Sequence, residues 1–266
     1  VPLVFEIRDL WPDIPIAMKI LKNSFLCYLA KKLELWTYKN AKSIVALSPQ
    51  MKEGIMTKNV ISNKIAVIPN CSDLITLSHS DKLGKKFRKK RNWLQDHPLL
   101  VYAGTFGKVN NLSYAIDLAN ALRKRNSNVR ILLIGDGLEK EELIIKAKKF
   151  DVFEKNLYFE NPIPKKEIRE CLSAADMCAN FVSDVKETWA NSANKFFDSL
   201  AAGKPILLNH GGWMQELIFN YQCGLCMHGK KIDLVANELD TAMNDLKWLK
   251  TAGNSAKNLA IKYFDT

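Results

Sequence analysis

A short helical segment around residue 195 carries the residues best suited to chemistry. Lys195 and Asp198 stand three positions apart, so a helix places both side chains on one face. Ser192 can cap that helix, whose free N–H groups together with the lysine would attract an anion. An aspartate one turn further in can accept hydrogen bonds from two vicinal hydroxyls. A nucleotide carries both groups, because its phosphates are anions and its ribose has two vicinal hydroxyls. The segment therefore predicts a nucleotide-binding site. A local Lys–Asp surface pair is the alternative.

Two glycine-rich turns could support such a site. Gly104-Thr-Phe-Gly-Lys108 and Gly135-Asp-Gly137 each follow an apolar run. Glycines after a strand let backbone N–H groups approach a phosphate. Neither turn has the spacing of the dinucleotide fingerprint or of the P-loop, so a plain strand-to-helix turn remains open for both.

The elements that must position these residues alternate between strand and helix. Short apolar runs end in turns rich in glycine, asparagine or proline, at 4–7, 43–47, 64–69, 98–102, 129–134, 157–160, 176–182 and 205–208. This alternation predicts an α/β fold with parallel, doubly wound sheets, whose ligands bind beyond the carboxyl ends of the strands. Residues 16–38 are expected to form one helix. Residues 223–226 fit a strand better than a Cys-x-x-Cys redox or metal site.

A polar stretch between about residues 73 and 96 marks a predicted domain boundary. We assign residues 1–84 to the second half of an N-terminal domain with its linker, and residues 85–266 to a second domain. The basic run at 85–91 indicates either nucleic-acid binding or, as we favour, the solvated face of a linker helix docked by Phe87, Trp93 and Leu94. The chain opens in a strand-like run without methionine and ends in a helical pattern, so we expect both ends to be cut.

The formal net charge of +11 favours polyanionic partners: nucleic acid, an anionic bilayer or phosphorylated small molecules. The six cysteines lie mostly in apolar runs, which is typical of reduced thiols in a cytosolic protein. No apolar run approaches the length of about 20 residues that a membrane span needs.

The segment Asn194-Lys-Phe-Phe-Asp-Ser-Leu-Ala-Ala-Gly-Lys-Pro205 resembles the PNK-x-x-E-Y-x-A-A-G-K-P signature of family 4 retaining glycosyltransferases. Their GT-B fold has two Rossmann-like doubly wound domains facing a cleft. The likeness is closest to the branch that builds bacterial O-antigen and capsular polysaccharide, it covers almost the whole chain, and it implies that the N-terminal domain is incomplete here. Further motifs follow the family's order: Arg8-Asp-Leu-Trp-Pro12, Ala46-Leu-Ser-Pro49, Ile68-Pro-Asn70 with Asp73, Tyr102-Ala-Gly-Thr-Phe-Gly107 and Gly135-Asp-Gly137.

The resemblance implies a nucleotide-sugar donor, with UDP favoured over GDP and an N-acetylhexosamine as the transferred sugar, and it implies no cofactor and no metal. Asp198 takes the place of the second glutamate of the E-x7-E motif, which binds the ribose. Lys195 and Lys108, with nearby amides, would hold the diphosphate, and Ile163 would lie near the base. The implied donor-binding residues are Gly104, Thr105, Phe106, Gly107, Lys108, Gly137, Ile163, Ser192, Ala193, Asn194, Lys195 and Asp198.

The same resemblance implies catalytic roles for Arg8 and Asp9, which match the interdomain loop, and for Lys195, which would stabilise the departing diphosphate. A loop-stabilising cap is the alternative for Asp9. Ala190 stands where the family has the first glutamate of E-x7-E. Glu187 or a backbone group would have to replace it.

The acceptor implied by the resemblance is a saccharide on undecaprenyl diphosphate, at the anionic cytoplasmic membrane surface. The predicted location is therefore cytoplasmic, peripheral at the inner face of the bacterial plasma membrane, with no nucleic-acid partner. Residues 16–36, with four lysines, either lie at that interface or form an ordinary domain helix: Lys19, Lys22, Lys31 and Lys32. Three other functions stay open, namely a sugar-nucleotide epimerase, a nucleic-acid-binding protein and a non-catalytic polysaccharide-assembly subunit. The four histidines form no convincing acid–base pair for an epimerase.

Overall fold

A computed structural model describes residues 1–266 of the chain. The chain forms two compact units, each built from several segments. The first contains residues 1–70, 184–193 and 211–214, and the second contains residues 71–183, 194–210 and 215–266.

Strands and helices alternate along the chain, and every sheet pairing is parallel, which confirms the predicted α/β class. The strands are β1 Val4–Ile7, β2 Ser43–Ala46, β3 Ile65–Val67, β4 Leu99–Ala103, β5 Arg130–Ile134, β6 Leu157–Glu160, β7 Met177–Asn180, β8 Ile206–Leu208 and β9 Gly224–Cys226. The helices are α1 Asp13–Ala17, α2 Ser24–Asn40, α3 Pro49–Met56, α4 Leu74–Leu77, α5 Asp81–Lys89, α6 Ser113–Lys124, α7 Lys140–Lys149, α8 Lys165–Ala174, α9 Asn194–Ala201, α10 Trp213–Tyr221, α11 Ile232–Asn244 and α12 Leu246–Tyr263. None of the helices is both long and apolar enough to span a bilayer.

The first unit is built on the three-stranded sheet β1-β2-β3. Its core gathers apolar side chains from the sheet and from helices α1 to α3, and it includes Ala190 from the segment 184–193. Helix α3 begins as the sequence predicts, because Ser48 Oγ accepts the N–H of Met51 and Pro49 occupies the first turn. Ser48 Oγ also donates to the carbonyl of Ala190 at 2.6 Å, which ties the segment 184–193 to this unit.

The second unit is a six-stranded sheet in the order β6-β5-β4-β7-β8-β9, with a hydrophobic cluster on each face. Numbered within this unit, the order is 3-2-1-4-5-6, the order of a dinucleotide-binding Rossmann sheet. The strands are continuous apolar runs because helices cover both faces. The predicted strand at 223–226 is present as β9.

Two sequence predictions differ from the structure. The single helix predicted at 16–38 is split into α1 and α2, because Lys19 adopts a left-handed φ of 56° and the Asn23 side chain caps α2 through the N–H groups of Phe25 and Leu26. Residues 71–84, predicted to belong with the first domain, lie in the second unit. Helix α5 packs so closely on α8 that a Cβ at Gly84 would lie 2.7 Å from a carbonyl of α8.

Candidate nucleotide-binding site

The second unit has a cavity of about 360 Å³ at the carboxyl ends of its central strands. It lies beside β4 and β7, where the chain changes direction across the sheet, and ligands of doubly wound folds bind at this switch point. Two kinds of side chain line it. The polar ones are Thr105, Asp136, Lys195, Asp198 and Ser199, and the apolar ones include Pro162, Ile163, Ile168 and Leu172.

The two glycine-rich turns form the floor of the cavity by close backbone approach. A Cβ on Gly135, whose φ is +153°, would lie 1.9 Å from the carbonyl oxygen of Gly104. Two backbone amides of the first turn already have hydrogen-bond acceptors. Gly104 N–H donates to the Ile134 carbonyl, and Phe106 N–H donates to the Asp136 carbonyl. The N–H groups of Thr105 and Gly107 take no part in these backbone hydrogen bonds. Of the two residues only Thr105 lines the cavity, so its amide remains for an anion there.

Lys195 extends from helix α9 into the cavity and meets only neutral partners. Its Nζ donates to Tyr102 Oη at 3.1 Å and to Asn110 Oδ1 at 2.8 Å, and it lies 4.6 Å from the centre of the Tyr102 ring. Burial lowers the pKa of Lys195 to about 8. Gly104 makes room for the ammonium, since a Cβ there would lie 3.3 Å from Nζ. A cation without a carboxylate partner in a cavity is suited to hold an anion.

Asp198 lines the same cavity but is not paired with Lys195. Its Oδ1 accepts a short hydrogen bond from the Ser72 hydroxyl, and burial raises the pKa of its carboxyl group while that hydrogen bond lowers it. Of the surrounding cations, only Lys165 exerts a charge effect on it. Lys195 and Asp198 therefore do not form the local surface ion pair that was the alternative to a nucleotide site.

The other predicted donor residues are distributed unevenly. Thr105 and Ile163 line the cavity with Gly104. The side chain of Phe106 is fully buried in the core, so it packs the turn rather than contacting a ligand. Gly107, Lys108, Gly137 and Asn194 are outside the cavity lining, and both Lys108 and Asn194 are exposed.

Ser192 and Ala193 belong to the first unit, so the predicted cap is not part of the second unit's cavity. The Ser192 carbonyl accepts from Asn70 Nδ2 at 2.5 Å, and its hydroxyl accepts the Asn70 N–H at 3.4 Å. Helix α9 begins at Asn194, two residues after Ser192.

The predicted catalytic loop lies in the first unit. Arg8 is exposed and pairs with Glu6 at 2.8 Å. The Asp9 residue is exposed, although partial desolvation raises the pKa of its carboxyl group, and the Asp9 carbonyl accepts the N–H of Trp11. That contact uses the backbone of Asp9, so it is not the side-chain cap that the alternative requires.

The position of the missing glutamate has a structural role. Ala190 is 6% exposed and packs within the apolar core of the first unit. Glu187, the suggested replacement, is exposed in the 3-10 helix Lys186–Ala190 of the same unit.

Most basic side chains of the run at 85–91 form ion pairs with carboxylates of the second unit. Arg91 contacts both carboxylate oxygens of Glu160, and its guanidinium stacks 3.4 Å from the centre of the Phe87 ring. Arg88 pairs with Asp176 at 2.8 Å, and Lys86 and Lys90 both pair with Glu170. Leu94 is fully buried and Trp93 stacks on Tyr158, so the run forms a docked helix as we favoured.

Three residues that hydrogen-bond to Lys195 or Asp198 were not predicted from the sequence: Tyr102, Asn110 and Ser72. Each is distant in sequence from helix α9 and reaches it only through the tertiary fold. Asn110 lies in the 3-10 helix directly after the first glycine turn, a position that could have suggested it. No group of three or more His, Cys, Asp or Glu side chains is arranged to hold a metal ion.

The sheet order and the cavity define a Rossmann-like α/β domain with a lysine-containing pocket at its switch point. The chain belongs to the family of glycosyl transferases group 1, whose model matches residues 84–259. No curated protein sequence matches it.

Several solved structures have a similar fold. HepE of Anabaena, in complex with UDP and glucose, has a TM-score of 0.80 at 18% identity, covering 99% of this chain and 68% of HepE. WaaG, a glycosyltransferase involved in lipopolysaccharide biosynthesis, has a TM-score of 0.76 at 14% identity, covering 97% of this chain and 70% of WaaG. TarM of S. aureus reaches 0.70 at 11% identity, covering 89% of this chain and 44% of TarM. These likenesses establish the fold.

Proposed function

We propose that the protein is a retaining glycosyltransferase that moves a sugar from a UDP-sugar to a lipid-diphosphate-linked saccharide in bacterial surface polysaccharide synthesis. The observation that carries this proposal is the ammonium of Lys195, which hydrogen-bonds only to neutral side chains. It shares the switch-point cavity of a group 1 glycosyltransferase domain with Asp198. The structures of HepE with UDP and with UDP-glucose support UDP as the carrier. WaaG, through its part in lipopolysaccharide biosynthesis, supports a surface-glycan acceptor.

In this proposal Lys195 binds the diphosphate, Asp198 binds the ribose hydroxyls, and the uracil lies against the apolar end of the cavity at Ile163. The bond between the sugar C1 and the β-phosphate oxygen breaks, and the negative charge that develops on the diphosphate is stabilised by Lys195 and nearby amides. The acceptor hydroxyl attacks C1 from the leaving-group face, and its proton passes to the departing phosphate. Arg8 and Asp9 are proposed to contact the reacting sugar or the acceptor.

Calorimetric titration with UDP tests the donor half of the proposal. Lys195→Met is expected to weaken UDP binding at least tenfold, because a charge-assisted hydrogen bond contributes about 1.5–3 kcal/mol. Lys204→Met is the matched control, since Lys204 is also buried but its Nζ donates to the carbonyls of Ser173 and Ala175. Unchanged UDP affinity in Lys195→Met would refute the site.

Turnover separates an enzyme from a non-catalytic assembly subunit. The expected result is transfer from UDP-N-acetylglucosamine to an undecaprenyl-diphosphate-linked saccharide, with the anomeric configuration retained by NMR. Asp9→Asn is expected to lower kcat while UDP affinity stays as in the wild type. UDP binding without hydrolysis or transfer from any UDP-sugar would favour the non-catalytic subunit.

We also propose that the protein works at the cytoplasmic face of the membrane, through helix α2. This helix buries Ala30, Glu34 and Tyr38, and it exposes an apolar stripe at helical spacing: Phe25, Leu29, Leu33 and Trp36. Glu34 is the only acidic residue between positions 14 and 50, and it is buried beside Lys58, so the charge facing outward there is lysine alone. An anionic bilayer complements both the apolar stripe and the lysines.

Flotation on vesicles tests this surface. Binding is expected with vesicles of phosphatidylcholine and phosphatidylglycerol and to be much weaker with phosphatidylcholine alone. The double variant Lys31→Glu, Lys32→Glu should lose it, whereas Lys247→Glu, Lys250→Glu on helix α12 should not. Equal binding to both vesicle types would refute the proposal.

A further inference from the structure

Asn110 joins the first glycine turn to Lys195 through its two side-chain groups. Its Nδ2 donates to the Thr105 carbonyl at 3.0 Å, and its Oδ1 accepts from Lys195 Nζ at 2.8 Å. Tyr102 makes the same pair of contacts, because its hydroxyl lies 2.9 Å from the Thr105 carbonyl and 3.1 Å from Nζ.

The direction of these hydrogen bonds is fixed by the carbonyl. The Thr105 oxygen can only accept, so the Asn110 amide nitrogen and the Tyr102 hydroxyl must both donate to it. Their remaining oxygens then face Lys195 as acceptors. An ammonium group carries three N–H donors, and these two contacts leave one of them for a ligand in the cavity.

No carboxylate forms an ion pair with Nζ. The titratable groups around it are Tyr102 on β4, Asp136 after β5, Cys178 on β7 and Asp198 on its own helix, and none forms an ion pair with it. Burial raises the pKa of the Tyr102 hydroxyl and of the Cys178 thiol, so both are neutral near pH 7. A carboxylate at position 110, in contrast, would stand at ion-pair distance from Nζ.

We propose that Asn110 is a positioning residue that presents the Lys195 ammonium to the donor diphosphate as an oriented but uncompensated cation. The proposal rests on the proposed function, since it assigns a partner within the same site. An amide at this position orients the lysine as well as a carboxylate would, but it leaves the positive charge available for the phosphates.

A double-mutant cycle on UDP affinity tests whether Asn110 acts through Lys195. Asn110→Ala is expected to weaken UDP binding about fivefold to tenfold in the wild-type background, the effect of one ordinary hydrogen bond, because Asn110 acts on the ligand only through Lys195. In a Lys195→Met background the same substitution should have little further effect. Equal losses in both backgrounds would overturn the proposal, because Asn110 would then act through the turn alone.

The pH dependence of UDP affinity is a second test, because a purely structural role of Asn110 would leave it unchanged. Lys195 is cationic below its pKa of about 8, so UDP affinity in the wild type should fall above that pH. Asn110→Asp should bind UDP more weakly at pH 7, because its carboxylate neutralises the ammonium, and its alkaline loss should move to higher pH, because the carboxylate raises the pKa of Lys195.

An unchanged pH midpoint in Asn110→Asp would also overturn the proposal. Failure of the wild type to bind UDP would instead reject the proposed function. UDP binding that depends on Lys195 but not on Asn110 would reject this inference alone.

Discussion

Replacing Lys195 with methionine is expected to stabilise the second unit at neutral pH, although it should weaken the proposed diphosphate binding. The pKa of Lys195 is lowered from 10.5 to about 8 by burial. Between these values the unfolded chain binds more protons than the folded one, so wild-type stability should rise with pH through this window. Below pH 8 the full cost of the buried ammonium is present.

The magnitude follows from the same shift. A pKa lowered from 10.5 to about 8 corresponds to roughly 3 kcal/mol against the protonated form in the folded state. Methionine leaves Tyr102 and Asn110 without their lysine donor, which costs about 1 kcal/mol for each lost hydrogen bond. The net stabilisation expected at pH 7 is therefore about 1 kcal/mol, or about 2–4 °C in Tm.

Urea and thermal unfolding at pH 7 and near pH 10 measure this difference. The gain in Lys195→Met should disappear near pH 10, where the wild-type lysine is neutral. Lys204→Met should instead be destabilised by about 1–3 kcal/mol, because it leaves two carbonyls of a buried segment without their donor. Two results would contradict an energetic cost of the charged Lys195 in the folded state: destabilisation of Lys195→Met at pH 7 as large as that of Lys204→Met, or an effect of Lys195→Met that does not depend on pH.

Three further substitutions probe the frame of the cavity and of the first unit. Gly135→Ala should lower the free energy of unfolding by about 2 kcal/mol or more in urea titrations, because its Cβ would collide with the Gly104 carbonyl; wild-type stability would contradict that close approach. Ser72→Ala removes the hydrogen bond that lowers the pKa of Asp198, so the loss of UDP affinity on acidification should begin at a higher pH than in the wild type, and an unshifted profile would separate Asp198 from binding. Ala190→Glu should cost several kcal/mol by burying a carboxylate in the apolar core of the first unit, and a variant as stable as the wild type in thermal unfolding would show that the position tolerates the family's glutamate.

The sheets could be predicted from the sequence because local signals agree with the global fold. Strand β6 lies at 157–160, as its apolar run between turns predicts, and the remaining predicted strands match within one or two residues at most ends. The helix predicted at 16–38 was wrong because apolar periodicity does not reveal a left-handed residue. Lys19 and the Asn23 cap interrupt the backbone without interrupting the apolar pattern.

The cavity was predictable where a local motif marks it, as at the glycine turn of Gly104 and Thr105 and on helix α9. Lys195 and Asp198 are three residues apart on helix α9, so their common location follows from helix geometry. Asn110 and Ser72 reach that helix across 85 and 126 positions of sequence, and no local pattern encodes such contacts. Phe106 was predicted to bind the donor but is fully buried in the core. An aromatic residue in a glycine-rich turn has the same local sequence whether it packs in the core or contacts a ligand.

Ser72 connects the carboxyl-terminal residues to the cavity. Its N–H donates to the Phe264 carbonyl at 3.0 Å, while its hydroxyl donates to Asp198, and the Phe264 ring packs 4.9 Å from that of Phe197 beside Asp198. Cleavage after Tyr263 would therefore remove both the backbone anchor of Ser72 and a packing partner of helix α9. Loss of these few residues would therefore disturb the carboxylate of Asp198, the proposed ribose ligand, without altering any residue that lines the cavity.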